Sequence, residues 1–401
     1  MSHWHENSWR GRPEPVTALF VTGVTAALSR GARLVLLIGS LILFGLLPLA
    51  ALYSVFAALA ANRVTPDFSL TYYRAAEALL EGNRLYPTGD LVLRGDFLID
   101  YLYPPLTALA VMPFTALPVG AAELVFACLL VVAFAATLAI LGVRDWRCYG
   151  LAFLWPPVLD AVQTENLTIF LGLAAALVWR FRDRPLSAGA TLGVSLAVKI
   201  VMWPLAVWLA VTRRLTAVLW SVGVAAFVLA ATWAAVGFEG LSDYPGLLRQ
   251  ASEIQDDESY TVYALALDLG LSSGLARALW VLLAFALLTA TAIAARRGDE
   301  RRAFVLALAA TIACSPVVWL HYFALLLVAV AVAEPRLAPV WFLGLPLQVF
   351  ISTGVHNGST FQTAAMLATA ALTVLLALRR PSSSGWSWGR AAASRVAGSP
   401  P

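Results

Sequence analysis

Lys199 is the only lysine in the chain, and it lies in the middle of an apolar run, Leu186 to Thr212. A charge at such depth is costly and marks a functional site by default. An ammonium would meet a phosphate as a point charge; the alternative is a cation that snorkels to an interface or pairs with a carboxylate. Asp67 follows the first long apolar run. A carboxylate there can accept a proton from an incoming hydroxyl, or serve only the dipole at a helix start. His321, within Ser315-Pro316-Val317-Val318-Trp319-Leu320-His321-Tyr322, suits a phosphate or a sugar hydroxyl, and a lone histidine is also a common structural group. Gln163, Glu165 and Asn166 form a compact polar turn between apolar runs. Their amides fit sugar hydroxyls or cap helices, and Glu165 rivals Asp67 as a base. Tyr101, Tyr103 and Pro104-Pro105 make a rigid aromatic corner, which either supports a sugar or belongs to an interfacial aromatic belt. His356 is a weaker candidate, and His3 and His5 are assigned nothing.

The elements that must position these groups are membrane helices. The chain has 401 residues, 60% of them hydrophobic and 12% charged, and a mean hydropathy of +0.80. Several runs approach the roughly 20 residues that cross a bilayer, so the expected class is an all-α polytopic membrane protein. The alternation of a β-barrel is missing. The net charge of +4 comes from short arginine clusters between apolar runs, which set topology and do not point to nucleic acid. Cys128, Cys148 and Cys314 show no paired spacing, so neither a disulfide framework nor a metal site is expected. Walker and Rossmann glycine patterns are absent. The energy for a reaction must then come from an activated donor dissolved in the membrane, with no cofactor and no metal.

Residues 1–33 carry Arg10, Arg12, Arg30 and Arg33 and are expected in the cytoplasm, followed by an uncleaved first span at about Leu34 to Ala60. The polar stretch 62–105 holds four arginines against six carboxylates, which fits the external side. Within it, Thr65 and Pro66 read as a helix start, Phe68, Tyr72, Ala75, Ala76 and Leu79 as one apolar face on the membrane surface, and Gly82 as the stop. Residues 106–117, broken by Pro113, are read as lying at the outer surface, extending the external segment to about 118. Then 119–142 runs in, 148–162 out and 166–180 in. The arginine-flanked run 186–212 reads as two short helices that go in and return, with Lys199 near the turn. Span 215–237 leads to a second external loop at about 238–262. An interfacial stretch at 264–274 and spans near 275–295, 303–319, 321–333, 339–353 and 361–378 complete an integral membrane domain over 34–378, of about 12 membrane segments with no internal repeat. The tail, 379–401, is rich in Ser, Gly, Arg and Pro and reads as disordered and cytoplasmic.

These pieces also resemble a known family. They are Asp67-Phe68-(x)3-Tyr72-Tyr73-Arg74-Ala75-Ala76-(x)2-Leu79-Leu80-Glu81-Gly82-(x)2-Leu85-Tyr86, Tyr103-Pro104-Pro105 with Pro113 and Leu117-Pro118, and Gln163 with Asn166. Gly189-(x)3-Gly193-(x)5-Lys199 with Pro204 and the arginine pair follows, then Ser315-Pro316-(x)2-Trp319-(x)-His321-Tyr322. In this order they resemble glycosyltransferase family 87 over roughly residues 60–330. The resemblance implies the C-type glycosyltransferase (GT-C) fold and transfer, with inversion, of a sugar from a polyprenyl-phosphate donor at the extracytoplasmic face of the plasma membrane. Mannose in α-1,2 linkage to a glycolipid or polysaccharide acceptor is the first expectation, and arabinofuranose the alternative. It implies Asp67 as general base, Lys199 and His321 as donor phosphate-binding groups, and Tyr103, Gln163, Asn166 and Tyr322 as substrate-binding groups. The chain departs from the pattern at Glu258-Ser259-Tyr260, where an asparagine-containing motif is expected, which bears on acceptor contacts. A lipid-linked sugar flippase is the rival from another class; it needs no general base and commonly carries internal repeats.

Overall fold

The computed structural model describes residues 30–64, 67–87, 93–94, 97–98, 101–255, 259–351 and 359–379. Thr65, Pro66, Glu258, His356, His3, His5 and the tail from 380 lie outside the described residues. Their regular structure is helical apart from a two-residue antiparallel ladder, β1 (Leu93–Arg94) with β2 (Phe97–Leu98).

Helix α1 is continuous through three pieces, Arg30–Leu41, Ile42–Leu46 and Leu47–Ala60, the middle one a π turn. Pro48 has no N–H to give the carbonyl four residues back, and Leu47 N–H reaches back to the Ile42 carbonyl. The Phe44 carbonyl this leaves is met by Gly150, where a Cβ would sit 2.0 Å from that oxygen.

Helix α2 is a π turn, Phe68–Tyr73, continued by Arg74–Leu80, and Gly82 at φ +74° ends it as the sequence suggests. Its apolar face packs on protein. Phe68, Tyr72 and Ala76 are fully buried, and the Phe68 ring stacks on Phe126 at 4.5 Å. The next apolar stretch, α3 (Pro105–Val111) with a 3-10 turn over Met112–Ala116, is too short to cross a bilayer.

There follow α4 (Val119–Ile140), α5 (Trp146–Phe153), α6 (Pro156–Gln163) and α7 (Thr168–Arg180). Next come α8 (Pro185–Val198), a 3-10 turn (Ile200–Met202), α9 (Trp203–Val211) and α10 (Leu215–Ala235). The expected second external loop contains a helix, α11 (Tyr244–Gln255), which buries Leu247 and Ala251. The chain continues as α12 (Val262–Asp268), α13 (Ser273–Arg296), α14 (Glu300–Ala313), a 3-10 turn (Leu320–Leu325) with α15 (Leu326–Ala333), a second 3-10 turn (Pro339–Leu343) with α16 (Gly344–Phe350), and α17 (Thr360–Ala377). Ser359 and Gln362 close a reciprocal capping box at the start of α17.

Five helices among the described residues are long and apolar enough to cross a membrane: α1, α4, α10, α13 and α17. A sixth span arises if α6 and α7, bent by 119° at their junction, are taken together. The expected count of about twelve is therefore not reached on length and composition. The other apolar helical segments, such as α8, or α9 together with the 3-10 turn before it, are 10–17 residues long.

Two features set the depth of the site. First, α8 and α10 meet along small residues four apart, Gly189 and Gly193 facing Ala217, Ser221 and Ala225. A Cβ on Gly189 would stand 2.4 Å from the Ala217 carbonyl oxygen, and one on Gly193 2.7 Å from that of Ser221. Such small-residue seams let helix backbones approach closely where apolar burial alone cannot drive association. Second, the arginine-bearing turns gather at one end. Arg182 and Arg214 both pair with Glu300, Arg214 also reaches Asp183 at 2.7 Å, and Arg301 and Arg302 donate to the last carbonyls of α17. The Arg214 bond holds the Asp183 carboxyl below its usual range. Helix α7 runs from the polar turn at Asn166 to this end, a length of about 20 Å.

Candidate active site

Asp67 stands at the head of α2, half-buried. Its side chain makes no capping bond to its own helix. Both its contacts lead to the turn between α6 and α7: its N–H donates to the Thr164 carbonyl at 2.7 Å, and Oδ2 accepts from Nδ2 of Asn166 at 2.5 Å. Asn166 is itself oriented, since its Oδ1 accepts from the Thr168 N–H at 3.0 Å and the Thr168 hydroxyl at 2.7 Å. That leaves its NH2 group directed at the carboxylate.

This compact turn is enclosed by protein. Glu165 is wholly buried and Asn166 nearly so. Glu165 adopts φ +51°, in the left-handed region that side chains rarely occupy. Its carboxylate lies within electrostatic range of Glu123 and Asp67, and neither oxygen has a hydrogen-bond partner among the described residues. Gln163 ends α6, half-buried.

Lys199 lies between α8 and the following 3-10 turn in extended conformation, φ −154° and ψ 114°. The two short helices expected around it are therefore present. Its Nζ is 4.3 Å from the centre of the Tyr322 ring and 5.3 Å from that of Tyr103. Aromatic faces stabilise a desolvated cation by up to about 2 kcal/mol without neutralising it. Among the described residues no carboxylate forms an ion pair with Lys199. Asp67 acts on Lys199, Tyr72 and Tyr103 at longer range. The Tyr72 hydroxyl donates to that of Tyr103 at 3.0 Å, the rings meeting edge to face.

The aromatic corner is pinned from several sides. The Tyr101 hydroxyl donates to the Pro104 carbonyl at 2.6 Å and accepts from Ala108 N–H at 3.0 Å. Tyr86 and Tyr244 donate to the carbonyls of Tyr103 and Leu102 at 2.8 and 2.9 Å. Desolvation pushes the pKa of Tyr86, Tyr101 and Tyr244 well up, so all three remain donors at any physiological pH. They are bracing, and Tyr103 is what they brace.

His321 is one ring removed from the cation. It stacks on Tyr322 with centroids 5.2 Å apart and turns Nδ1 toward Asp160 Oδ2 at 3.4 Å. It is buried, and neither ring nitrogen makes a hydrogen bond.

An apolar cavity of about 580 Å³ opens beside this group, between α3, α4, α7 and α8. Its wall includes Leu167, next to Asn166, and Val198, next to Lys199, with Phe114, Phe126, Phe170 and Val194 further along. Among the described residues no three His, Cys, Asp or Glu side chains converge as a ligand set for a metal ion.

The structure thus brings Asp67, Asn166, Tyr103, Lys199 and Tyr322 around one space, with His321 behind Tyr322. Sequence reasoning did not assign Tyr72, Thr164, Thr168 or Asp160. The π turn explains the first: it brings positions five apart together, where an α-helical reading pairs positions three and four apart.

Comparison with known proteins identifies the family. The chain is 26% identical over 325 residues to the polyprenol-phosphate-mannose-dependent alpha-(1-2)-phosphatidylinositol mannoside mannosyltransferase of Mycolicibacterium smegmatis, covering 71% of this chain and 74% of that protein. No solved structure matches. Residues 101–321, from Tyr101 to His321, match glycosyltransferase family 87; they hold Tyr103, Asn166 and Lys199, and the chain, a membrane glycosyltransferase, belongs to that family.

Proposed function

We propose that this enzyme transfers a hexose, mannose in the first instance, from a polyprenyl-phosphate donor to a glycolipid or polysaccharide acceptor, with inversion and in α-1,2 linkage. The observation that carries this reading is the pairing of an oriented carboxylate, Asp67, with an un-neutralised ammonium, Lys199, across a shared aromatic wall. Inverting transfer needs a base on one side of the anomeric carbon and a charge acceptor on the other. Asn166 occupies Oδ2 of Asp67, leaving Oδ1 for the acceptor hydroxyl. The hydroxyl oxygen bonds to the anomeric carbon as its proton passes to Asp67 and the bond to the phosphate oxygen breaks. The departing polyprenyl phosphate gains negative charge, which Lys199 stabilises with His321 behind Tyr322. Tyr103, Tyr322 and Gln163 bound the sugar. Glu165 is enclosed where Asp67 is half open, which favours Asp67 as the base. No step is routed through a metal.

The apolar cavity beginning at Val198 supports a donor carried on a long hydrocarbon. The name of the mycolicibacterial relative specifies polyprenol-phosphate-mannose and a phosphatidylinositol mannoside, which supports the same donor and a glycolipid acceptor here. The gathering of arginine turns at the far end supports an extracytoplasmic site in the plasma membrane, with both termini inside.

The test is transfer of radiolabel from polyprenyl-phosphate mannose to a crude glycolipid extract by purified protein, with Asp67→Asn alongside. Label in a new glycolipid with wild type, and a loss of about 10²- to 10⁴-fold or more in the variant, is expected. Near-normal turnover by Asp67→Asn removes Asp67 from the base role, and transfer only from the arabinose donor changes the sugar.

A further inference from the structure

We propose that Asp160 is a positioning residue for the donor phosphate, acting through His321 and Tyr322 on Lys199; this rests on the donor reading above. Asp160 is 4% exposed, on the face of α6 that packs along the Leu320–Leu325 turn. A buried carboxylate is expensive unless a partner compensates it. One group it faces there is Nδ1 of His321 at 3.4 Å, with Tyr260 also within electrostatic range.

From His321 the contacts run in one direction. Its ring stacks on Tyr322, and the Tyr322 ring seats the Lys199 ammonium. A carboxylate facing Nδ1 favours the imidazole proton on that nitrogen, and a hydrogen bond completed there on substrate binding would fix the ring plane. The ring plane in turn fixes the tyrosine beneath the cation. At 3.4 Å the Asp160–His321 contact is long for a hydrogen bond. Contacts of this kind tighten when the substrate arrives, which here is a phosphate drawing Lys199 and its tyrosine seat toward itself.

The same residue reaches the base side through its backbone. The Asp160 carbonyl accepts from the Thr164 N–H at 2.8 Å and the Thr164 hydroxyl at 2.7 Å, and the Thr164 carbonyl accepts from Asp67 N–H. One helical turn therefore joins the phosphate-holding half of the site to the proton-accepting half. Asp160→Asn is nearly isosteric and leaves the backbone link intact, so it isolates the side-chain role.

The experiment compares wild type, Asp160→Asn, His321→Gln and the double variant in the transfer assay, with thermal unfolding in detergent as the folding check. Asp160→Asn is expected to lower kcat/KM for the donor about tenfold, the scale of a weakened charge-assisted contact, while the acceptor KM stays within about twofold. Added to His321→Gln it should cost nothing further, because both act on one contact. An unchanged donor kcat/KM, or a loss that only tracks the folded fraction as a merely structural role would give, overturns the proposal, as do single effects that multiply. Asp160→Ser serves in the same comparison where Asp160→Asn fails to fold. Equilibrium binding of farnesyl phosphate separates the two readings. Wild-type binding that the variant weakens sustains the role of Asp160 even without transfer, equal binding by both overturns it alone, and no binding by wild type overturns it together with the donor reading.

Discussion

Replacing Asn166 by alanine tests whether the polar turn between α6 and α7 serves the base or the sugar. The carboxamide donates to Asp67 Oδ2 at 2.5 Å and is held there by two bonds from Thr168. A hydrogen bond to a charged group is worth about 1.5–3 kcal/mol, so losing it should slow transfer roughly 10- to 150-fold. Lys199 and its tyrosine seat are untouched, so the loss should fall on kcat with the donor KM nearly constant. Thr168→Val removes only the hydroxyl bond to Asn166 and keeps the backbone one. A neutral bond contributes about 0.5–1.5 kcal/mol, which gives a smaller loss, about 2- to 10-fold. The assay is initial transfer rate against donor concentration at saturating acceptor, with each variant's folded fraction checked by size-exclusion chromatography. If Asn166→Ala stays within about twofold of wild type, the bond to Asp67 does not position a base. If it raises the KM for donor or acceptor at constant kcat, Asn166 meets the sugar directly, as its residue type first suggests.

Two other perturbations follow from the geometry. Lys199→Met should lower kcat about 10²- to 10³-fold, the usual cost of removing one pre-organised charge from a leaving group, with Lys199→Arg intermediate because a planar guanidinium sits differently between two rings. Equal activity of Lys199→Met and wild type would refute a phosphate role. Gly193→Leu forces side-chain atoms against the Ser221 carbonyl and should destabilise the protein by about 1–3 kcal/mol; an unchanged unfolding temperature in detergent would show that α8 and α10 separate there at no cost.

Much of the architecture was legible. The first span, the stop at Gly82 and the paired short helices around Lys199 follow from hydrophobic run lengths, a glycine and flanking arginines, all local signals. What escaped was set by tertiary contact. The roles of Thr164 and Thr168 depend on bonds to Asp67 and Asn166 that no spacing rule encodes, and a π turn shifts Tyr72 off the period of an ordinary helix. Helix α11 lies in a polar stretch that reads as a loop, because Tyr244 anchors it to the Leu102 carbonyl and to Tyr86. Composition alone reads about twelve membrane segments, whereas length and apolarity together single out five helices among the described residues, or six with α6 and α7 as one span, because the other apolar helices are 10–17 residues long.

The site residues share one backbone property. Asp67 opens a π turn, Glu165 and Asn166 occupy a sharp bend with a left-handed residue, Lys199 is extended between two helices, and His321 lies in a 3-10 turn. In a chain this apolar, a regular helix satisfies its own backbone and offers only side chains, while a break at depth is tolerated where protein or a polar cavity meets the exposed groups. Here the breaks satisfy one another, as Asp67 N–H and the Thr164 carbonyl do. Each discontinuity therefore supplies a polar side chain to the site, and at Asp67 and Thr164 a backbone group of one also holds the other in place. A variant that regularised one break, such as a helix-favouring substitution at Glu165, should disturb its partner at Asp67 as well as its own turn. The site is then a property of the set of breaks, and the long helices around it act as the frame that keeps them at one depth.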